Sequence, residues 1–355
     1  MKYTKTLGAI GLALSLNSQA ALIDLTGQGY VTYGDFNSYS LPIAGINVPS
    51  TPGQIDDLIV VATGSSGQPV NTNFSGMDNA YSTPTGVSGS NFFSTGSTTD
   101  PSQVNSFTGD NDATWDTTLA ALDAFLAGED MVLFFNNNNL NAENEQSLAV
   151  WAQIQVTDNN SDVIGVFDFT NDGGKYGLVS EGGGGTFFGD PTAYTSDGLG
   201  PDIGTNDSTD YVLSGGAICI DTDTSPPTPV SCTSPLADEG PINHNLGADD
   251  AAYAVVAPEL NSLLQGLFDS GLNMDDYTMS IDLRLGCDPG FGLAGDEICT
   301  GVSSGFGKNI NNGFEQLFIA SATFEPEIQI PEPSTLLLLG GGLLVLCRRN
   351  RLLTN

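Results

Sequence analysis

Apolar residues recur at every second position along much of this chain, the period of strands with one buried face. Leu58-Ile59-Val60-Val61 and Met131 to Phe135 are short unbroken apolar runs and predict buried strands. Leu148, Val150, Ala152, Ile154 and Val156 alternate onto one face. Val163 to Phe169 follows after Asp158-Asn159-Asn160-Ser161, a turn sequence that predicts a hairpin. Tyr211 to Ile220 predicts a further strand. Tyr277, Met279, Ile281, Leu283 and Leu285 make the cleanest alternation, and Leu317 to Phe324 is placed to close a sheet.

Two segments switch to the helical period. Trp115, Leu119, Leu122 and Leu126 fall on one helical stripe, with Asp112 or Thr114 as the expected cap and Gly128 as the stop. Pro258 at a first-turn position, Glu259 beside it and the stripe Leu260, Leu263, Leu264, Leu267, Phe268 predict a second helix, ended by Gly271. Gly/Asn/Ser-rich stretches such as Asn136 to Asn139 and Gly182 to Gly185 separate the elements, and no internal repeat emerges. The expected fold is mainly β: a β-sandwich-like single domain with two packed α-helices and long loops, over residues 21–325.

The two ends of the chain are different in kind. Lys2 and Lys5, the apolar run Leu7 to Leu16 and Ser18-Gln19-Ala20 form a secretory signal peptide over residues 1–20, with cleavage after Ala20 or Ala21. The expected route out is the Sec translocon. After a short stalk at 326–330, residues 331–355 hold three parts in order. These are Pro331-Glu332-Pro333, an apolar stretch from Leu336 to Cys347, and Arg348, Arg349 and Arg351. The basic cluster stays cytoplasmic by the positive-inside bias, leaving the body outside. The apolar stretch, expected as a C-terminal transmembrane helix, is short: Ser334 to Cys347 reaches only about 21 Å as a helix. Gly340, Gly341 and Gly342 interrupt it, and such a segment suits a transient hold.

This tail closely resembles the PEP-CTERM sorting signal of exported bacterial proteins, with Pro331-Glu332-Pro333 at the position of the namesake motif. The resemblance implies recognition by an exosortase, a membrane-embedded transpeptidase that removes the tail near the motif. It also implies a Gram-negative host that makes an extracellular polysaccharide, itself a possible partner. The body, residues 21–325, resembles no family on its own residues.

Charge sharpens this picture. The chain has 8 Lys+Arg against 42 Asp+Glu, a formal net charge of −34. Without the two ends, Lys175, Arg284 and Lys308 face 41 acids, and the charge moves to about −38. Such a surface repels phosphate and excludes nucleic acid as a partner. Four cysteines of the body, Cys219, Cys232, Cys287 and Cys299, fit an oxidising compartment. Their spacing favours two local disulfides, Cys219–Cys232 and Cys287–Cys299.

Candidate chemistry is sparse. Gly301-Val302-Ser303-Ser304-Gly305 has the spacing of a nucleophile elbow, but the only histidine, His244, precedes it and polar, Gly-rich sequence surrounds it. His244 is expected to cap a turn or sit at the surface, and no catalytic residue is assigned. With so many acids, sequence spacing alone selects no glycosidase pair. The densest oxygen clusters are Asp110-Asn111-Asp112 with Asp116, and Asp221-Thr222-Asp223. Asp110, Asp112 and Asp116 are candidate calcium ligands, against the alternative of solvated turn residues, since neither cluster completes an EF-hand loop. No cofactor is otherwise required. The expected function is that of an exported, non-enzymatic surface or matrix protein, with loop aromatics Tyr81, Phe92, Phe187 and Tyr194 available for glycan contact. A secreted polysaccharide-acting hydrolase and a permanently anchored envelope protein are the alternatives.

Overall fold

A computed structural model describes residues 23–50, 59–64, 70–71, 74–84, 93–101, 107, 109–137, 148–169, 212–214, 217–230, 235–247, 250–286, 310 and 315–323. The first part of the chain forms strands β1 (Ile23–Asp24), β2 (Tyr30–Tyr33), β3 (Phe36–Ser40), β4 (Ile59–Thr63), β5 (Tyr81–Ser82), β6 (Phe93–Ser94) and β7 (Trp115–Thr118). The middle adds β8 (Asp130–Asn136), β9 (Leu148–Thr157), β10 (Val163–Phe169), β11 (Val212–Ser214), β12 (Ala217–Asp221), β13 (Thr228–Val230) and β14 (Glu239–Asn243). The last strands are β15 (Tyr253–Val256), β16 (Thr278–Leu285) and β17 (Gln316–Thr323). Helices are α1 (Leu41–Ala44), α2 (Leu119–Leu126) and α3 (Pro258–Phe268).

The strands form three sheets. The largest runs β2-β3-β15-β8-β17-β4-β5, with β1 added parallel to β17. The second runs β10-β9-β16-β6 and is antiparallel throughout; β11 extends the outer edge of β9, and β7 that of β16. A small third sheet holds β13-β12-β14. Alternate residues of the two large sheets meet in one core, where Leu133, Phe135 and Leu317 join Ile154, Ile281 and Leu283. This mainly β arrangement is consistent with a β-sandwich. The other face of the large sheet carries a second core of Val60, Val132, Phe134, Phe318 and Val256, closed by Leu41 and Val48 beside α1. Both faces of β8 are therefore buried, which is why Met131 to Phe135 reads as an unbroken apolar run.

The predicted hairpin forms: β9 and β10 are antiparallel, and the Asp158 carboxylate accepts from the Asn160 and Asp162 amides within the turn. Four sequence expectations change. Trp115 belongs to β7 and not to a helix; α2 begins at Leu119, capped by the Thr118 hydroxyl, which accepts from the Ala121 amide. Trp115 fell in phase with the helical stripe because both the strand and the helix turn that face to the core. Ala127, in the left-handed region at φ 54°, and not Gly128, caps the far end. Tyr211 to Ile220 is divided between β11 in the second sheet and β12 in the third, and a third, four-residue helix, α1, joins the two expected.

Helix α3 starts at Pro258 as expected and packs Leu260 and Leu264 into the main core. Its buried Asn261 was not legible as a structural residue. β15 pairs with β8 only from Leu133 to Phe135, so the Met131 backbone lacks a strand partner on that side. The Asn261 side chain replaces it, accepting from the Met131 amide at 2.9 Å and donating to its carbonyl at 3.0 Å. Asn261→Ala orphans both groups and is expected to lower stability by about 2 kcal/mol in urea unfolding. The helix also lies close to β10: a Cβ at Gly165 would stand 2.7 Å from Leu263 Cδ2. Among the described residues no helix is long and apolar enough to cross a membrane, and the Leu336 to Cys347 stretch lies outside them.

Candidate metal centre

Asp116 occupies an interior position of the second sheet. On one side β7 pairs with β16, placing Asp116 opposite Ser280. On the other, the segment Gly76–Asp78 runs antiparallel to it. Here Thr118 donates from its amide to the Gly76 carbonyl, Met77 bridges Thr117, and the Asp78 amide donates to the Asp116 carbonyl at 2.9 Å. The Asp116 amide in turn donates to Asp78 Oδ2 at 2.8 Å. Backbone pairing between segments 38 residues apart thus brings two fully buried carboxylates together.

A tight turn closes over the Asp116 carboxylate. Asn111 donates its amide to Oδ2, and the Thr114 hydroxyl reaches both oxygens. The turn is held by the Asn111 side chain, which accepts from the Ala113 amide, and by the Tyr81 hydroxyl, which donates to the Thr114 carbonyl. Gly109 leads into it at φ +85°, and a Cβ there would lie 2.4 Å from Thr278 Oγ1, so glycine is needed both for the conformation and for the space. Asp78 is placed from the other side by Asn71, whose amide nitrogen donates to the Asp78 and Val60 carbonyls while its oxygen accepts from the Val60 amide.

Carboxylate oxygens of Asp78, Asp110 and Asp116 all lie within 4.8 Å of one another. Asp112 is exposed in the turn and is not in this group, which corrects the expected trio: Asp78 takes its place. No sequence signal pointed to Asp78, because its contribution depends on a ladder contact and not on local spacing. Burial, followed by the charge of Asp116, pushes the Asp78 carboxyl up to about 9. Burial pushes Asp116 up to about 7, against hydrogen bonds from Ser280, Asn111 and Thr114 that favour its charged form. Asp100 rises to about 6 through burial and the nearby Asp110 and Asp112, and the Tyr81 hydroxyl is pushed above its ordinary range by burial and then Asp100. Three oxygens so disposed offer a hard cation a ligand set.

A second group joins Asp221 and Asp223, singled out from sequence, to Asp238. Its carboxylates already accept local donors: Asp238 Oδ2 from the Thr222 amide and hydroxyl, Asp221 Oδ1 from the Asp223 amide.

Two other expectations are corrected by burial. Tyr81 is a core residue, 1% exposed, and offers no ring to a glycan. His244 is fully buried, not at the surface: Nε2 meets Ser40 Oγ at 2.6 Å, Nδ1 meets the Ile242 carbonyl at 2.9 Å, and the ring stacks on Tyr253. Burial pushes its pKa down to about 4. Asp250, six residues further on, accepts from the Asn47 side chain. A cavity of about 50 Å³ between the two large sheets is lined by Tyr33, Phe36, Phe135, Ile281 and Leu283, and is an apolar packing gap.

Cys219 is disulfide-bonded, and its neighbour in register on β13 is Val230, two residues before Cys232. Cys232, Cys287, Cys299, Ser303, Phe92, Phe187 and Tyr194 lie outside the described residues. So do Ala20, Ala21, Pro331, Glu332, Pro333, Arg348, Arg349 and Arg351.

Comparison with known families gives two matches. Residues 22–284 match a family described as a domain of unknown function, DUF8239. Residues 329–351 match the PEP-CTERM protein-sorting motif, which implies export and sorting by an exosortase. No curated protein and no solved structure matches the chain.

Proposed function

Since this chain belongs to the DUF8239 family and ends in a PEP-CTERM protein-sorting motif, we propose that it is a non-enzymatic protein of the cell surface or extracellular matrix of a Gram-negative bacterium. The Sec translocon carries it across the inner membrane, with cleavage at Ala20 or Ala21. The apolar stretch and Arg348, Arg349 and Arg351 hold it there until an exosortase acts near Pro331-Glu332-Pro333. The body then reaches the surface or the exopolysaccharide around the cell. One observation carries this reading: the sorting-motif match at 329–351 coincides with the ordered triplet of motif, short apolar stretch and arginines. The acidity of the body supports it, because like-charged domains resist association in a crowded polyanionic matrix.

Mass spectrometry of the protein recovered from its host is expected to find a C-terminus near Pro331 and an N-terminus at Ala21 or its neighbour. Deleting 331–355 is expected to remove most of the protein from the cell surface. Recovery of intact Asn355 would contradict sorting and favour a permanent anchor. Incubation with the host exopolysaccharide is expected to release no oligosaccharide.

A further inference from the structure

We infer that Asp78, Asp110 and Asp116 bind a divalent cation of the calcium class, which ties the turn at 109–114 to the strand pair formed by β7 and Gly76–Asp78. The inference is independent of the sorting tail. It begins with distance. Two oxygens bound to one calcium ion at about 2.4 Å can stand no further apart than about 4.8 Å, and the three carboxylates meet that limit together.

A second observation separates this group from the many acids of the surface. Asp78 is fully buried, and while its Oδ2 accepts from the Asp116 amide, its Oδ1 is also buried and has no hydrogen-bond donor. A buried carboxylate oxygen without a donor is costly, and natural proteins rarely retain one unless a water or ion completes it. Asp100, electrostatically linked to Asp78 and Asp110, likewise has a buried Oδ1 without a donor. A cationic side chain is the usual remedy. Among the described residues, however, Arg284 is the one Lys or Arg, and it is paired with Asp282 at 2.9 Å. The group that fits the deficit is a metal ion taking oxygen ligands. Three carboxylates in an irregular turn favour calcium, which accepts six to eight oxygens in flexible geometry, over magnesium, which demands a near-ideal octahedron.

The test is a calorimetric titration of the protein as recovered from the cell, dialysed against EDTA, with Ca²⁺ and separately Mg²⁺, paired with thermal melts. One Ca²⁺ per chain is expected, with Kd on the order of 10⁻⁴–10⁻³ M, the range of extracellular modules, and a raised melting temperature. Mg²⁺ is expected to bind at least tenfold more weakly. Asp110→Asn, at an exposed position that leaves the fold intact, is expected to weaken Ca²⁺ at least tenfold. Asp78→Asn is expected to abolish the response while raising the melting temperature of the metal-free protein, because folding no longer has to bury a carboxyl that would ionise in water. Asp223→Asn, in the other acidic group, should leave titration and melt unchanged. The inference is overturned if Ca²⁺ produces neither heat nor a melting shift, or if Mg²⁺ binds equally. A response that survives Asp110→Asn, or that vanishes with Asp223→Asn, overturns it too.

Discussion

Arg284→Ala is expected to destabilise the protein by about 3–5 kcal/mol, the usual cost of removing one partner of a buried ion pair. Asp282 and Arg284 stand two apart on β16 and so share one face of the sheet. The guanidinium donates from Nη2 to Asp282 Oδ2 at 2.9 Å and lies 5.2 Å from the centroid of the Trp151 ring on the neighbouring strand β9. Asp282 Oδ1 also accepts from the Thr95 hydroxyl, which itself accepts from the Leu283 amide. Both members of the pair are at least 95% buried. Truncating the arginine therefore leaves a carboxylate in a low-dielectric setting without its cation, and also removes the stack on Trp151. Arg284→Met combined with Asp282→Asn removes both charges while keeping an acceptor for Thr95, and is expected to return to within about 1–2 kcal/mol of the parent. Urea unfolding with an unchanged m-value checks both variants. A single-variant loss below about 1 kcal/mol would show the pair to be dispensable.

In chelator, the protein is expected to be markedly less stable at pH 8.5 than at pH 5.5. Asp78, Asp116, Asp100 and Glu315 all have pKa values raised mainly by burial, to about 9, 7, 6 and 7, from ordinary values of 3.8 for Asp and 4.5 for Glu. For each, the folded state holds its proton more tightly than the unfolded state. The stability so conferred is complete below pH 4 and is lost as pH climbs through the folded value. His244 has the opposite sign: its pKa, lowered to about 4 by burial, costs stability only as pH falls below about 6.5. The two trends leave an optimum on the acidic side of neutrality. Since one unit is worth about 1.4 kcal/mol, the fully buried Asp116 and Glu315 alone set a loss of several kcal/mol between pH 5.5 and 8.5. That corresponds to a fall in Tm of at least about 5 °C. Melts at fixed ionic strength provide the check, and Glu315→Gln should flatten the slope. A Tm that is level or rising over this interval would contradict the assignment. Millimolar Ca²⁺ should narrow the gap, because a bound cation favours the charged forms of Asp78 and Asp116.

Much of the scaffold was legible beforehand because strand periodicity records which residues turn inward. The faces of β9 and β16 appear in the sequence as alternations, and both reach the core as expected. Pro258 and the leucine stripe announced α3. The misreadings share a cause. Trp115 sat in phase with a helical stripe, and a short strand that hands over directly to a helix leaves no break in hydrophobicity. Tyr211 to Ile220 contained two strands because apolar alternation says nothing about which sheet a strand joins. His244 and Tyr81 looked exposed because polar neighbours surround them in sequence, whereas Ser40, Tyr253 and Phe93 surround them in space.

The chain alone determined its C-terminal sorting motif, its acidity and its mainly β character, since a short motif, net charge and side-chain period are all local properties. Which carboxylates would share a site was decided only by tertiary structure. Asp110 and Asp116 are near in sequence, but Asp78 reaches them through backbone hydrogen bonds between distant segments, and Asp112, adjacent in sequence, turns to solvent. Local spacing determines the direction of a side chain along its own strand. Only ladder register determines what stands opposite it.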